Sequence, residues 1–249
     1  SSSKPYFSNI IKIGVGKYAN KKKRRLNLRS LSKISKNNFL NSLLNENVSL
    51  IYFNSEFSPM STNFIENSTF KSENYSEMGL VLGEYENCNF NQCNFVSTNL
   101  SSFTFSECEF ENCDLSMVLL KNSTFRDVSF KNCKLLGVRF DQCNPFLLSF
   151  SFKESILDFS SFYSLKLKNT KFISCKLKQV DFTEADLRNS VFDRCELSGA
   201  VFENTILENS DLRTAQNFTI DPELNRIRNA KFSASNIAGL LERYNIDIE

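Results

Sequence analysis

The side chains that could do chemistry in this sequence are eight cysteines and many carboxylates, while histidine is absent from all 249 residues. Without an imidazole, a Ser-His-Asp triad or a His-ligated metal is excluded. The serine and threonine residues have no evident base beside them, and the seven glycines are scattered and form no phosphate-binding loop. These features predict a protein that is not an enzyme and that uses no metal or cofactor.

A pattern with a period of five residues runs through the body of the chain, and the structure that it encodes must position these side chains. Large apolar residues, almost all Phe or Leu, stand at every fifth position from Tyr85 to Phe140, and the series then meets Pro145 and ends at Phe150. The series resumes two residues out of step and continues from Phe152 to Leu212. Neither the helical period of 3.6 residues nor the alternation of a strand produces this spacing. Such internal repetition is typical of a solenoid.

A second, mostly small residue stands two positions before each large one, and all eight cysteines occupy such positions. The other three places in each five are mainly Asn, Asp, Glu, Lys, Ser and Arg. Two of every five side chains are therefore expected to point inward and three to face water. Carboxylates in the outward places are hydrated, so no desolvation raises their pKa for acid–base catalysis.

Stretches such as Cys195-Glu-Leu-Ser-Gly and Ala200-Val-Phe-Glu-Asn resemble the unit of the pentapeptide-repeat family: a small residue, a polar one, Leu or Phe, and two variable residues. The resemblance covers residues 85–212. It implies an all-β fold, a right-handed quadrilateral parallel β-helix in which four pentapeptides make one coil. Residues twenty apart would then stack in columns, and one predicted column consists of Phe90, Phe110, Phe130 and Phe150.

The cysteines fit this coil without a metal site. Cys88 and Cys93 are five residues apart, which is not a zinc-ligand spacing. Cysteines one coil apart, such as Cys113 and Cys133, would be within disulfide reach. The favoured interpretation is that all eight are buried free thiols acting as small apolar side chains, which predicts a reducing, cytoplasmic location.

Three segments are predicted. Residues 1–64 form a basic N-terminal segment, disordered or partly capping the first coil. Residues 65–220 form the β-helix, regular from about 84 to 212, with a register slip at 144–155. Residues 221–249 form a short capping helix. No apolar run reaches the length of a membrane span.

The slip and the tail are the two irregular features. Pro145 stands where a large apolar residue is expected, and it cannot donate a ladder hydrogen bond. The slip is either an accommodated bulge or a loop that contacts a partner, with Asn144, Pro145 and Phe146 as the candidate loop residues.

The tail is similar to that of the Qnr and MfpA members of the family, in which the C-terminal helix also forms a homodimer. The resemblance implies dimer contacts through Leu240, Leu241 and Ile246. The alternative is a cap on a monomer. Ser233 or Ser235 is expected to cap the helix, whose apolar face would include Ile237 and Leu240.

Charge is segregated along the chain. Residues 1–45 hold eleven Lys and Arg and no acid, so direct nucleic-acid binding is conceivable only through this arm. Residues 72–120 hold eight acids and no base, whereas residues 121–180 hold eleven bases and four acids, a net charge of +7.

Two functions are compatible with this surface. The favoured one is a non-catalytic scaffold that binds an unknown protein partner. The alternative follows from the resemblance to Qnr and MfpA proteins, which bind DNA gyrase or topoisomerase IV: a rod whose carboxylates mimic DNA phosphates. The candidate binding surface then consists of Glu84, Glu86, Glu107, Glu109, Glu111 and Asp114. The basic band at 121–180 interrupts such a surface and favours the scaffold. A small-molecule substrate is not expected.

Overall fold

The computed structural model describes residues 63–247, and the predictions made for residues 1–62, including the basic arm, lie outside the described residues. The described residues form a parallel β-solenoid. Its elements are the strands β1 (Asn63–Glu66), β2 (Thr69–Lys71), β3 (Gly83–Glu86), β4 (Asn89–Asn91), β5 (Thr104–Ser106), β6 (Glu109–Glu111), β7 (Thr124–Arg126), β8 (Val128–Lys131), β9 (Phe150–Lys153), β10 (Lys171–Ile173) and β11 (Val191–Asp193), the helix α1 (Tyr75–Met78), and 3₁₀ helices at Phe140–Gln142, Ala234–Leu240 and Glu242–Tyr244.

Strands pair in parallel with the strand one coil later, as in the pairing of Asn63 in β1 with Gly83 in β3. Side 1 of the solenoid is the sheet β1-β3-β5-β7, and side 2 is the seven-stranded sheet β2-β4-β6-β8-β9-β10-β11. Isolated parallel bridges link the coils on side 3, as between Asn94 and Asp114, and on side 4, as between Ser161 and Asp181. The predicted four-sided parallel β-helix is confirmed.

The corners of the coil depend on residues in the left-handed backbone conformation. Such residues recur about every fifth position from Asn67 to Asn229, and Asn is the commonest among them. Asn tolerates this conformation because its short side chain hydrogen-bonds locally, whereas a bulky side chain is strained there. Met117, Leu147 and Phe159 are bulky apolar exceptions, and all three are exposed.

The interior is a stack of aromatic and aliphatic ladders. On side 2, Phe90 and Phe110 stack with ring centroids 4.7 Å apart and planes 8° apart. The column continues through Phe130, Phe152, Phe172 and Phe192. Such offset stacking adds to the burial of apolar area that stabilises each coil against its neighbours.

The predicted place of Phe150 in this column is wrong. Phe130 pairs with Phe152, and Phe150 pairs instead with Val128. The reason is that residues 145–148 add two positions to one coil, so strands flanking the slip pair 22 residues apart. Phe150 therefore occupies a small inward site, where its ring lies 5.4 Å from that of Phe125 and 5.2 Å from that of Phe140. Phe150 is thus buried, whereas Pro145 is exposed.

All eight cysteines are free and buried. Five of them share the small inward ladder of side 3 with Ser155: Cys93, Cys113, Cys133, Cys175 and Cys195. The Cys113 thiol lies 3.2 Å from the carbonyl oxygen of Phe90. Burial raises the pKa of the Cys108 thiol to about 11, so this thiol is protonated at neutral pH.

The two ends of the described solenoid differ. Among the described residues, in-register pairing is already present at Asn63, one coil before the stretch predicted to be regular. Of the inward residues of this first coil, Ile65 and Phe70 are partly exposed, whereas Tyr75 is buried. At the other end the predicted C-terminal helix is present as two 3₁₀ turns. Ser233 and Asn236 form a capping box at its start.

Candidate interaction surfaces

Five of the six predicted acids come together on sides 1 and 2. Glu84 and Glu86 lie on β3, and Glu109 and Glu111 lie on β6 in the next coil. Glu107 stands at the corner between these sides, since it has the left-handed conformation between β5 and β6. The sixth acid, Asp114, bridges to Asn94 on side 3, so it is not part of this acidic cluster.

The acidic cluster is partly neutralised within the solenoid. Glu111 forms an ion pair with Lys131 and accepts a hydrogen bond of 2.9 Å from the Asn91 amide. The hydrogen bond and charge of Lys131 hold the pKa of Glu111 below its usual range. The charge of Glu111 is thus offset by Lys131. Outside the cluster, Asp114 lies 3.8 Å from the ammonium group of Lys134.

Residues 181–212 hold eight acids and two bases, and part of this stretch forms a second group of acids on side 4. Asp181 is on this side, and Glu184 and Glu203 follow at the next corner and in the next coil. Glu184 interacts with the Tyr163 hydroxyl, and this hydrogen bond raises the tyrosine pKa. The acidic stretch is visible in the linear sequence, whereas its placement on side 4 follows from the coil.

The basic band does not form one face. Arg126 is on side 1, Lys131 on side 2, Lys134 on side 3 and Arg139 on side 4. Lys166 returns to side 1, where it bridges to Asp186. The band therefore encircles the solenoid between the two acidic groups.

The loop at the slip is exposed and held at both ends. Phe146 is 68% exposed and Leu147 is 58% exposed. The backbone N–H of Asn144 donates to the Ser123 carbonyl at 2.8 Å, and that of Ser149 donates to the Phe125 carbonyl at 3.1 Å. Of the three predicted loop residues, Pro145 and Phe146 are exposed to solvent, while Asn144 is half-buried.

The three predicted dimer residues have different environments. Leu240 is only 8% exposed and belongs to the core of its own chain. Leu241 is half-buried and Ile246 is exposed. The cap is anchored by Asn236, whose amide donates to the carbonyl of Leu212 at 2.9 Å. Leu240 is thus occupied in capping, and Leu241 and Ile246 are the ones available to a second copy.

The described residues contain no group of side chains typical of a metal site. Among residues 63–247, no three Cys, Asp or Glu side chains converge as a metal site would require. No helix in this part of the chain is long and apolar enough to cross a membrane. The depression beside the C-terminal cap is bordered by Arg194 and Arg213, which are already paired with Asp193 and Asp211.

The five-residue repeat, the four-sided coil and the stacked interior together define a pentapeptide-repeat protein. The family model for the pentapeptide repeat region matches residues 84–162, 136–212 and 165–241. The chain belongs to the pentapeptide-repeat family.

Solved structures of two family members are similar to this solenoid. A trypsin-treated variant of QnrB1, a plasmid-mediated fluoroquinolone resistance protein, aligns with a TM-score of 0.56 and 19% identity over 75% of this chain and 92% of that chain. HetL, a pentapeptide repeat protein involved in heterocyst differentiation regulation in the cyanobacterium Nostoc sp., aligns with a TM-score of 0.52 and 16% identity over 68% of this chain and 83% of that chain. At these identities the likeness establishes the fold. A search among curated proteins finds no match.

Proposed function

We propose that this chain is a non-catalytic scaffold that binds a protein partner through the outward side chains of its solenoid, with the loop at 144–149 as a contact. The observation that carries the proposal is Leu147, a bulky apolar residue that is exposed and has a left-handed φ of 55°. Folding favours Asn or Gly at such positions, and water disfavours exposed apolar side chains. Met117 and Phe159 share these features, but Leu147 also directly follows the exposed Phe146. An exposed apolar pair in an outlying loop is best accounted for by burial against a partner.

Site-specific crosslinking tests this function. A photoreactive phenylalanine analogue is placed at position 146 of the full chain in native cells, and a matched analogue replaces Ser97, an exposed corner residue between sides 3 and 4. We expect a discrete protein adduct from position 146 and none from position 97. Identical adducts from both positions, or none from position 146, would contradict a specific contact at the loop.

The second candidate function is a DNA-mimicking binder of DNA gyrase or topoisomerase IV, as the resemblance to Qnr and MfpA proteins suggests. It is favoured by the gathering of five predicted acids on two adjoining sides of neighbouring coils. Binding through such a surface weakens as salt increases.

Gyrase supercoiling, with and without a quinolone, tests this candidate across a salt series. The full chain is compared with Glu107→Lys/Glu109→Lys and with the control Glu184→Lys/Glu203→Lys, which changes the net charge equally on a different part of the surface. Mimicry by the cluster predicts a salt-sensitive effect that only the first pair of substitutions abolishes. Equal loss in both variants would mean that net charge, and not this cluster, is responsible.

Dimerisation through the cap is a further part of the proposal. Leu241 and Ile246 offer apolar surface beside the exposed Ile237 and Tyr244. Sedimentation velocity of Leu241→Asp/Ile246→Asp should show a monomer where the unmodified chain shows a dimer. A monomer in both proteins would assign this segment to capping alone.

A further inference from the structure

The loop at 144–149 presents its apolar tip in an ordered conformation. The side-chain oxygen of Asn144 accepts a hydrogen bond of 3.0 Å from the Phe146 N–H. Ser149 locks the far end, because its hydroxyl accepts a hydrogen bond of 2.6 Å from the Asp127 N–H. Leu148 packs partly against the core. Little conformational entropy is therefore lost when Phe146 and Leu147 are buried by a partner.

Cations flank this tip along side 1. Arg126 ends β7 in the coil before the loop, and Lys166 and Lys168 lie in the coil after it. All three side chains are exposed. Within residues 63–247, no carboxylate lies within ion-pair distance of Arg126 or Lys166, and Lys168 lies 3.6 Å from Asp186. The loop and the basic band thus meet on one side of the solenoid.

We infer that this loop site, defined as Phe146 and Leu147 with Arg126, Lys166 and Lys168, binds an acidic protein surface that contains an apolar pocket. The inference rests on the proposed scaffold function and adds the chemistry of the partner. Phe146 and Leu147 enter the pocket and supply most of the affinity, as buried aromatic anchors do. The cations pair with carboxylates around its rim and favour encounter with the correct partner.

A local protein contact fits better than an extended anionic surface. Side 1 is acidic at Glu84 and Glu86, which lie two coils, about 10 Å, before Arg126. A flat anionic membrane or a long duplex laid along side 1 would meet these like charges. A pocket confined to the loop site would not.

Peptide display on the immobilised full chain tests the inference. We expect the selected peptides to combine Asp or Glu with Phe, Leu or Trp. Their binding should weaken about 10-fold or more in Phe146→Ser/Leu147→Ser. When the Arg126→Glu/Lys166→Glu variant is immobilised instead, the selected peptides should contain Lys and Arg in place of Asp and Glu. The matched control Lys121→Glu/Lys178→Glu makes the same charge change on other sides and should leave the selection unchanged. Circular dichroism melts establish that each variant is folded.

Two further probes separate the alternatives. Sedimentation with phosphatidylserine vesicles and titration with duplex DNA should show no binding that depends on Phe146. Binding of either kind that Phe146→Ser abolishes would overturn the inference in favour of a lipid or a nucleic acid. Peptides without acids, or peptides insensitive to the loop substitutions, would also overturn it. In those cases a crosslinked protein at position 146 would leave the scaffold function standing and reject only the acidic chemistry.

Discussion

Phe130 stacks on Phe152 across the slip, with ring centroids 5.3 Å apart and planes inclined by 10°. The side 2 column therefore passes the two extra residues without a break. Residues 145–148 leave the coil on side 1, after the 3₁₀ helix at Phe140–Gln142. Continuity of one ladder explains why a rigid solenoid accommodates an exposed loop in its middle.

Phe150 should behave as a large core residue although it stands in a small site. Phe150→Val matches the pairing position of Val128 but removes the ring that contacts Phe125 and Phe140. We expect a loss of about 2 kcal/mol in the free energy of unfolding, because a cavity remains. Denaturant titration measures the change. A neutral or stabilising result would mean that Phe150 does not fill the space beside the loop.

Phe182 tests the inward assignment of the repeat. Its ring is fully buried between those of Phe162 and Phe202, at 5.4 Å and 5.2 Å. Phe182→Asp places an unpaired charge in this column and should abolish cooperative folding. Phe182→Leu should fold with a loss of roughly 1–2 kcal/mol. A cooperative far-UV melt of the Asp variant near the unmodified temperature would refute the assignment.

At corner positions with a left-handed backbone, glycine should give a more stable chain than a residue with a side chain. Phe159 is 61% exposed with a φ of 64°, so Phe159→Gly should raise the free energy of unfolding by about 1 kcal/mol. Gly137→Ala in the adjacent coil is the opposite test, since Gly137 has a φ of 65°, which strains a residue that carries a Cβ. It should destabilise the chain. Chemical denaturation of both variants checks the signs, and two changes of the same sign would contradict the strain argument.

The ionisation of Asp186 should account for part of the loss of folding stability at low pH. Burial alone raises the pKa of this carboxyl, but hydrogen bonds and charge from Arg188, together with the charge of Lys168, hold it below the ordinary value. A carboxyl with a depressed folded-state pKa contributes stability above its unfolded-state pKa, and this contribution is lost as pH falls through the folded-state value. In Arg188→Gln the pKa should rise and acid unfolding should begin at higher pH.

Carboxyl NMR titration and pH-dependent melts of Arg188→Gln measure these two effects. Arg228→Gln is the control, because it removes an equal charge from an arginine that has no ion pair among residues 63–247. An unchanged Asp186 pKa in Arg188→Gln would show that Arg188 does not control this carboxyl.

Much of the fold could be predicted because the five-residue period is a direct consequence of local geometry. Each inward site accepts either a large or a small side chain. The size of a residue such as Cys195 or Leu197 therefore predicts which inward site it occupies. That Phe152, and not Phe150, continues the side 2 column after Phe130 could not be predicted. It depends on which side of the coil expels the two extra residues, and that is decided by packing against the preceding coil.

The candidate surfaces show the same division. The sequence by itself determined the coil, the inward cysteines and an exposed residue at the slip, since these follow from the spacing of residues a few positions apart. Only the tertiary structure decided that Glu86 and Glu109 adjoin, that Asp114 lies apart from them, and that Arg126 and Lys168 flank the loop. Such neighbours are about twenty or more residues apart, and their contact exists only once the coil has closed and the two-residue slip has set its register.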